Sequence, residues 1–188
     1  PTEQTERLIS TKLYNDSKYF EKELKSKVLS ILRQVKKDND LEVSDDASLL
    51  EWYGIVRYPQ LFFFSGAIKI NLKNQGSIDY SYFVQSAIID SKFIQQIEAI
   101  DTSKIHKVLF IENKASYYQY LNHYHPDELI VYHGGCFSPI AKKFFKKIYD
   151  STSKISFYHW SDIDLGGFRI FVRLQNEIIP ELRPYLMD

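Results

Sequence analysis

Apolar positions change rhythm along this chain, and the change divides it. From Ser17 onward, Tyr19, Phe20, Leu24, Val28, Leu29, Ile31, Leu32 and Val35 recur at helical spacing and predict a long amphipathic helix. The polar run at 36–40 predicts its end. Ser44 then stands where an N-cap would open a short helix carrying Leu49, Leu50, Trp52 and Tyr53. Pro59 breaks the pattern, and Leu61 to Leu72 reads as two β segments turning at Ser65 and Gly66. A helix followed by a β-hairpin is compatible with a winged-helix arrangement, as with many small α+β units. A further helix is predicted between about Ser81 and Ile100.

Beyond Lys107 the pattern becomes regular. Val108 to Ile111 is a short continuous apolar run of the kind that a strand buried on both faces needs. A helical stretch follows at Ser116 to His123, then a strand at Leu129 to Tyr132 and a helix at Ile140 to Tyr149. Ile155 to Trp160 reads as a third strand and Gly167 to Ile178 as a third helix. Such alternation predicts an α/β domain, a parallel sheet flanked by helices, over residues 101–188. Residues 1–100 form a smaller helical or α+β region, winged-helix-like in outline. No internal repeat or low-complexity tract interrupts either part.

Composition narrows the function classes. Hydrophobic residues make up 44% and charged residues 26% of the 188, as in an ordinary folded protein. Tyr (14) and Phe (13) are abundant enough to suggest an aromatic core, with base stacking as the alternative use. Lys plus Arg equals Asp plus Glu, 24 each, so a nucleic-acid site must come from local segregation of charge. The single cysteine, Cys136, excludes an internal disulfide framework and reads as a buried or loop thiol. It points to a reducing, cytoplasmic setting. No apolar run approaches the roughly 20 residues of a membrane helix, and no leader pattern is visible. The start at Pro1 and stop at Asp188 read as an excised piece of a longer chain.

Functional groups of open parallel sheets gather at the carboxyl ends of the strands. Three polar clusters stand there: Glu112 to Lys114, His133 to Gly135, and Ser161 to Gly167. Asp162 and Asp164, two residues apart in an extended segment, point to one side and join Glu112 in a candidate site for a hard cation. Gly166 and Gly167 permit a sharp turn into the next helix, whose N-terminus favours nearby anions. The bland alternatives are that Asp164 caps that helix, Asp162 accepts loop amides, and Glu112 is a solvated acid.

The helix from Pro139 to Tyr149 splits by face. Lys142, Lys143, Lys146 and Lys147 occupy one arc, and Ala141, Phe144, Phe145 and Ile148 the other. A solvated basic face is the ordinary reading, and contact with a DNA backbone is the functional one. Lys114 and Arg169 would add to that field. His133, directly before two glycines, is either a packed histidine or a site residue, whereas His159 reads as structural. No zinc spacing or Walker-type loop is present.

Val108 to Asn113, followed by His159 to Ile170, resembles the Toprim pattern of topoisomerase VI A subunits and related meiotic double-strand-break proteins. It resembles more closely the Wadjet plasmid-defence nuclease subunits, the JetD family. Val131 to Gly135, the lysine helix and the upstream Gly54 to Pro59 share that likeness. It is strongest over Lys107 to Asp188 and extends more weakly to about Ser17.

The resemblance implies a Toprim fold, dependence on Mg²⁺ or Mn²⁺, and cleavage of double-stranded DNA. Glu112 matches the glutamate after the first Toprim strand, and Asp162 and Asp164 match its Asp-x-Asp. It further implies condensin-like SMC partners that deliver circular plasmid DNA. A duplex has two strands to cut, which suggests a homodimer. Topoisomerase VI enzymes also use a nucleophilic tyrosine, yet no tyrosine here carries a recognisable motif; Tyr53 and Tyr58 are the candidates by location. Resemblance to the Wadjet-type subunits, which cleave without such a tyrosine, implies metal-assisted hydrolysis instead. The competing classes are a non-catalytic docking module and, further off, primase-type nucleotidyl transfer.

Overall fold

A computed structural model describes residues 3–38, 43, 45–74, 76–83, 85–123, 125–135, 138–151 and 155–187. Cys136 and Ser44 lie outside them. The chain divides into two units, Pro1–Gln60 with Cys136–Ile140, and Leu61–Gly135 with Ala141–Asp188. The boundary expected near residue 100 thus falls forty residues earlier, because residues after 60 supply strands to the second unit.

In the first unit, β1 (Gln4–Thr5) leads into α1 (Glu6–Tyr14), which the apolar pattern did not disclose. Thr5 caps α1 by accepting the Leu8 N–H, and Asn15 ends it in the left-handed region at φ 54°. Ser10, fully buried, accepts the Phe20 N–H at 2.8 Å and so fixes the turn into the next helix. That helix opens as a π-helical stretch, Phe20–Leu24, and continues as α2 (Lys25–Asp38), running into the segment expected to be loop. Its stripe packs Phe20 and Leu29 on Leu49 and Leu50 of α3 (Asp46–Trp52), while Ile31, expected in the stripe, is exposed. Asp45, one residue after Ser44, is the N-cap of α3, accepting the Ser48 N–H. β2 (Ile55–Val56) closes the unit by pairing in parallel with β1.

The second unit begins with β3 (Leu61–Ser65) and β4 (Lys69–Leu72). These strands do not form the hairpin expected at Ser65 and Gly66, because they enter different sheets. β4 instead turns through Asn74 (φ 60°) into β5 (Gly76–Asp79). In place of the single helix expected over 81–100 stand β6 (Ala87–Asp90), a six-residue α4 (Ser91–Gln96) capped by Asp90, and β7 (Ile97–Asp101). The β-branched isoleucines of this span find partners, Ile89 opposite Phe62 of β3 and Ile100 opposite Ile70 of β4, and that pairing overrides the helix-like spacing.

The remaining elements alternate as the sequence predicts: β8 (Lys107–Ile111), α5 (Lys114–Leu121), β9 (Glu128–Tyr132), α6 (Pro139–Asp150), β10 (Ser156–Trp160) and α7 (Leu165–Glu177). A short β11 (Arg183–Pro184) follows. The main sheet runs β11-β10-β8-β9-β3-β6, parallel through its first four strands and antiparallel at β3 and β6. The second sheet is β5-β4-β7, antiparallel throughout.

Alternation along the strands sends Leu109, Ile111, Ile130, Tyr132, Tyr158 and Trp160 toward α5, where Tyr117 is fully buried among them. The opposite face carries Phe110 against Phe145 of α6, and His159 against Phe171 of α7. The chain is therefore α/β, with helices on both faces of a sheet whose middle is parallel.

Candidate metal centre at the carboxyl ends of the central strands

Register places the three polar clusters in one row. Ile111 of β8 lies opposite Trp160 of β10 and Tyr132 of β9, so the next residues, Glu112, Ser161 and His133, leave the sheet together. The Glu112 N–H donates to the Trp160 carbonyl at 2.9 Å, and the His133 N–H to the Ile111 carbonyl at 3.0 Å. By alternation all three side chains share the face covered by α6 and α7.

Glu112 is half-buried, and its carboxylate accepts the backbone N–H of Asp162. Burial pushes its pKa up, and the charges of Asp162 and then Asp164 push it further; the Asp162 N–H opposes them. Among the described residues its buried Oε2 has no hydrogen-bond partner. Asp162 and Asp164 are exposed. Asp164 also serves the bland role weighed for it, its Oδ1 accepting the Gly167 N–H at 2.7 Å as N-cap of α7. Gly167 is required for close approach, since a Cβ there would stand 2.2 Å from the Asp162 carbonyl oxygen.

Among the described residues no three His, Cys, Asp or Glu side chains are already drawn together tightly enough to hold an ion. The donor set nevertheless fits one. A buried, unpartnered carboxylate oxygen in the field of two further carboxylates is an arrangement that a hard, oxygen-preferring divalent cation relieves.

The histidines behave unlike surface ligands. His133 is 6% exposed and His159 fully buried, stacked at 5.0 Å with their Nε2 atoms 3.1 Å apart. The Gly135 N–H donates to His133 Nδ1 at 3.1 Å. With both ring nitrogens engaged inside the fold, His133 is not placed as the surface DNA contact expected of it. Sequence reasoning missed the pair because it read the two rings singly; the signal was that each points to the same sheet face from a strand flanking β8.

The family model described as "Wadjet protein JetD, C-terminal" matches residues 76–188, a span that includes every residue of this row. The chain belongs to that family. A Wadjet protein JetD from Bacillus cereus (strain Q1) is 26% identical over 186 residues, covering 97% of this chain and 44% of the relative. This JetD-family chain thus spans under half the length of that curated relative.

The expected cationic contacts are distributed unevenly. Ala141, Phe144, Phe145 and Ile148 of α6 are buried, as the split of that helix requires. Of its lysines, Lys142 pairs with Glu177 at 2.5 Å, Lys146 with Asp150 at 3.2 Å, and Lys147 reaches the Glu98 carbonyl at 3.5 Å. Lys143 is exposed and has no ion-pair partner among the described residues. Lys114 holds its ammonium 4.5 Å from the Phe63 ring centre, and Arg169 is exposed on α7. In the first unit, Tyr53 packs against the core, while Tyr58 is 72% exposed at a cleft of about 320 Å³ also lined by Arg7, Lys18, Glu21 and Arg57. Among the described residues no helix is long and apolar enough to cross a membrane.

Proposed function

We propose that this chain is the divalent-metal-dependent DNA-cleaving module, Toprim in type, of a Wadjet anti-plasmid defence system. Glu112, Asp162 and Asp164 would hold Mg²⁺ or Mn²⁺. The observation that carries the reading is Glu112: a buried carboxylate oxygen, unpartnered among the described residues, under the charge of Asp162 and Asp164 at the carboxyl end of the central strand. When bound, the cation would supply Lewis-acid stabilisation of charge at a scissile phosphate.

The chain's own residues account for the rest. Glu112, its pKa raised by burial and then by the charges of Asp162 and Asp164, is a stronger proton acceptor than an ordinary carboxylate. The N-terminus of α7, beside Asp164, presents a positive dipole end to anionic substrate. Lys143 and Arg169, both exposed, are the cations best placed by accessibility to meet a DNA backbone without regard to sequence. Condensin-like SMC subunits and a second copy of the chain are the proposed partners.

The test is supercoiled-plasmid cleavage by the full-length protein, with its SMC partners, in Mg²⁺, Mn²⁺ or EDTA. Wild type should nick or linearise only with metal, and Glu112→Ala should lose on the order of 10³-fold in rate. Undiminished cutting by a folded Glu112→Ala protein would sink the assignment.

A second reading, a non-catalytic docking module of the same complex, draws on one feature. Leu165, Phe168 and Val172 form an exposed apolar row on α7, with Ile163 just before it. Absence of metal-dependent cutting, together with SMC binding lost on Phe168→Asp, would favour that reading.

A further inference from the structure

The histidine pair has a direction. The Gly135 N–H can only donate, so His133 Nδ1 accepts and carries no proton. A neutral His133 then bears its proton on Nε2, which donates across 3.1 Å to His159 Nε2. His159 in turn bears its proton on Nδ1, a buried nitrogen without a partner among the described residues. The chain of bonds starts in β10, spans β8 and ends in the turn after β9.

That turn meets the site. Gly134 (φ 58°) and Gly135 (φ 69°) are both left-handed, and a Cβ on Gly135 would stand 3.3 Å from Glu112 Oε1 and 3.5 Å from Ile170 Cδ1. The backbone of Gly135 therefore lies against the carboxylate, and the hydrogen bond from its N–H to His133 fixes where that backbone sits.

We propose that His133 and His159 form a fixed-tautomer relay that holds the Gly134–Gly135 turn against Glu112, making His133 a positioning residue for that carboxylate. The inference rests on the metal-site reading for its consequence, though its geometry stands alone. Groups that orient a metal ligand typically alter affinity by 10–100-fold when removed, while the ligand itself remains.

Two measurements on the full-length protein test it. Long-range ¹⁵N–¹H correlation on ¹⁵N-histidine-labelled, metal-free wild type should show His133 protonated at Nε2 and His159 at Nδ1. A His133 ring protonated at Nδ1 overturns the relay, and this arm needs no variant to fold.

The second arm compares His133→Asn with His133→Gln by Mn²⁺ titration. Asn keeps an acceptor near the Nδ1 position; Gln keeps a donor near Nε2 and loses the acceptor for Gly135. His133→Asn should hold Mn²⁺ within about threefold of wild type, and His133→Gln should weaken it about tenfold or more. Wild-type affinity in a folded His133→Gln protein overturns the positioning role. Absence of Mn²⁺ binding by wild type overturns the metal-site reading instead, and the relay is then decided by the tautomers.

Discussion

β8 places an ionisable residue at each of its ends, and the fold treats the two in opposite ways. Lys107, at the start, donates to Tyr120 Oη at 2.8 Å and to Glu128 Oε1 at 2.9 Å, and lies 4.6 Å from the Tyr185 ring centre. Tyr120 in turn donates to the second oxygen of Glu128 at 2.9 Å. Opposite charges, hydrogen bonds and aromatic faces close the cluster on itself. Glu112, just past the other end, has a buried oxygen without a partner among the described residues and like charges nearby. A fold that neutralises a half-buried charge five residues away has left this one without a counter-charge among the described residues, and such imbalance is a mark of candidate binding and catalytic sites.

The contrast is sharpest in stability. Lys107→Met should destabilise the protein by about 3 kcal/mol, because it strands the buried Glu128 carboxylate. The double variant Lys107→Met/Glu128→Gln should recover most of that loss. Urea melts of both decide it; a loss under about 1 kcal/mol for the single variant would mean the Lys107 end is not the closed structural cluster described.

The next effect is of acid. Burial lowers the pKa of His159 from 6.5 to about 4, and burial and then the charge of His159 lower that of His133 well below 6.5. A depressed folded pKa means that the unfolded chain binds protons first. Stability is then full above pH 6.5 and falls toward pH 4, at up to about 1.4 kcal/mol per pH unit for each histidine. Glu112 acts in the opposite sense: its raised pKa lends stability that is full below 4.5 and lost as pH rises through the folded value. Glu112→Gln should therefore steepen the acid loss. Urea midpoints measured from pH 7 to pH 4.5 on wild type and Glu112→Gln check both slopes, and a flat profile in Glu112→Gln would show that the histidines are not held neutral.

At neutral pH without metal the same substitution should do the reverse of Lys107→Met. Glu112→Gln removes an uncompensated charge and should raise Tm by about 1–2 °C, a small figure because the group is half in water. Added Mg²⁺ should raise the wild-type Tm and leave Glu112→Gln unmoved. A clear fall in Tm on Glu112→Gln in metal-free buffer would put the two ends of β8 in the same class.

What the sequence disclosed follows the same division. The central strands were legible because Val108 to Ile111 and Leu129 to Val131 are unbroken apolar runs, as burial on both faces demands. The buried side of α6 was legible from its period. The carboxylates could be gathered because chain ends of parallel strands are predictable, and Asp164 could be read either as ligand or as cap; its cap bond is present. The span from about Ser81 to Ile100 reads as one helix because its isoleucines and Phe93 fall at spacings that suit a long helix as well as two short strands around the six-residue α4. Only partners in other strands choose between them. The histidine pair was hidden for a related reason: contact between His133 and His159 depends on the register of β9 and β10 across β8. Tertiary pairing, absent from local pattern, decided both.

The smallest expected effect concerns the charges that face outward. The sequence suggests four equivalent lysines on α6, but Lys142 and Lys146 spend their charge on Glu177 and Asp150, and Lys147 is turned to a carbonyl. Burial also lowers the pKa of Lys147, helped by the positive charges of Lys143 and Lys73, against the opposing pull of Asp150 and Glu98. Lys143 is the one of the four whose ammonium is exposed and without an ion-pair partner among the described residues, so it should give most to a DNA backbone. A single such contact releases about one counterion. Lys143→Ala should weaken duplex binding by about twofold to threefold at 0.1 M salt and make the dependence of log Kd on log salt shallower by about one. Lys146→Ala should change neither beyond error. Fluorescence anisotropy on a labelled duplex across a salt series measures both variants against wild type. Equal losses from Lys143 and Lys146 would restore the uniform basic face that the sequence suggests, and would mean that the Asp150 pair opens when DNA arrives.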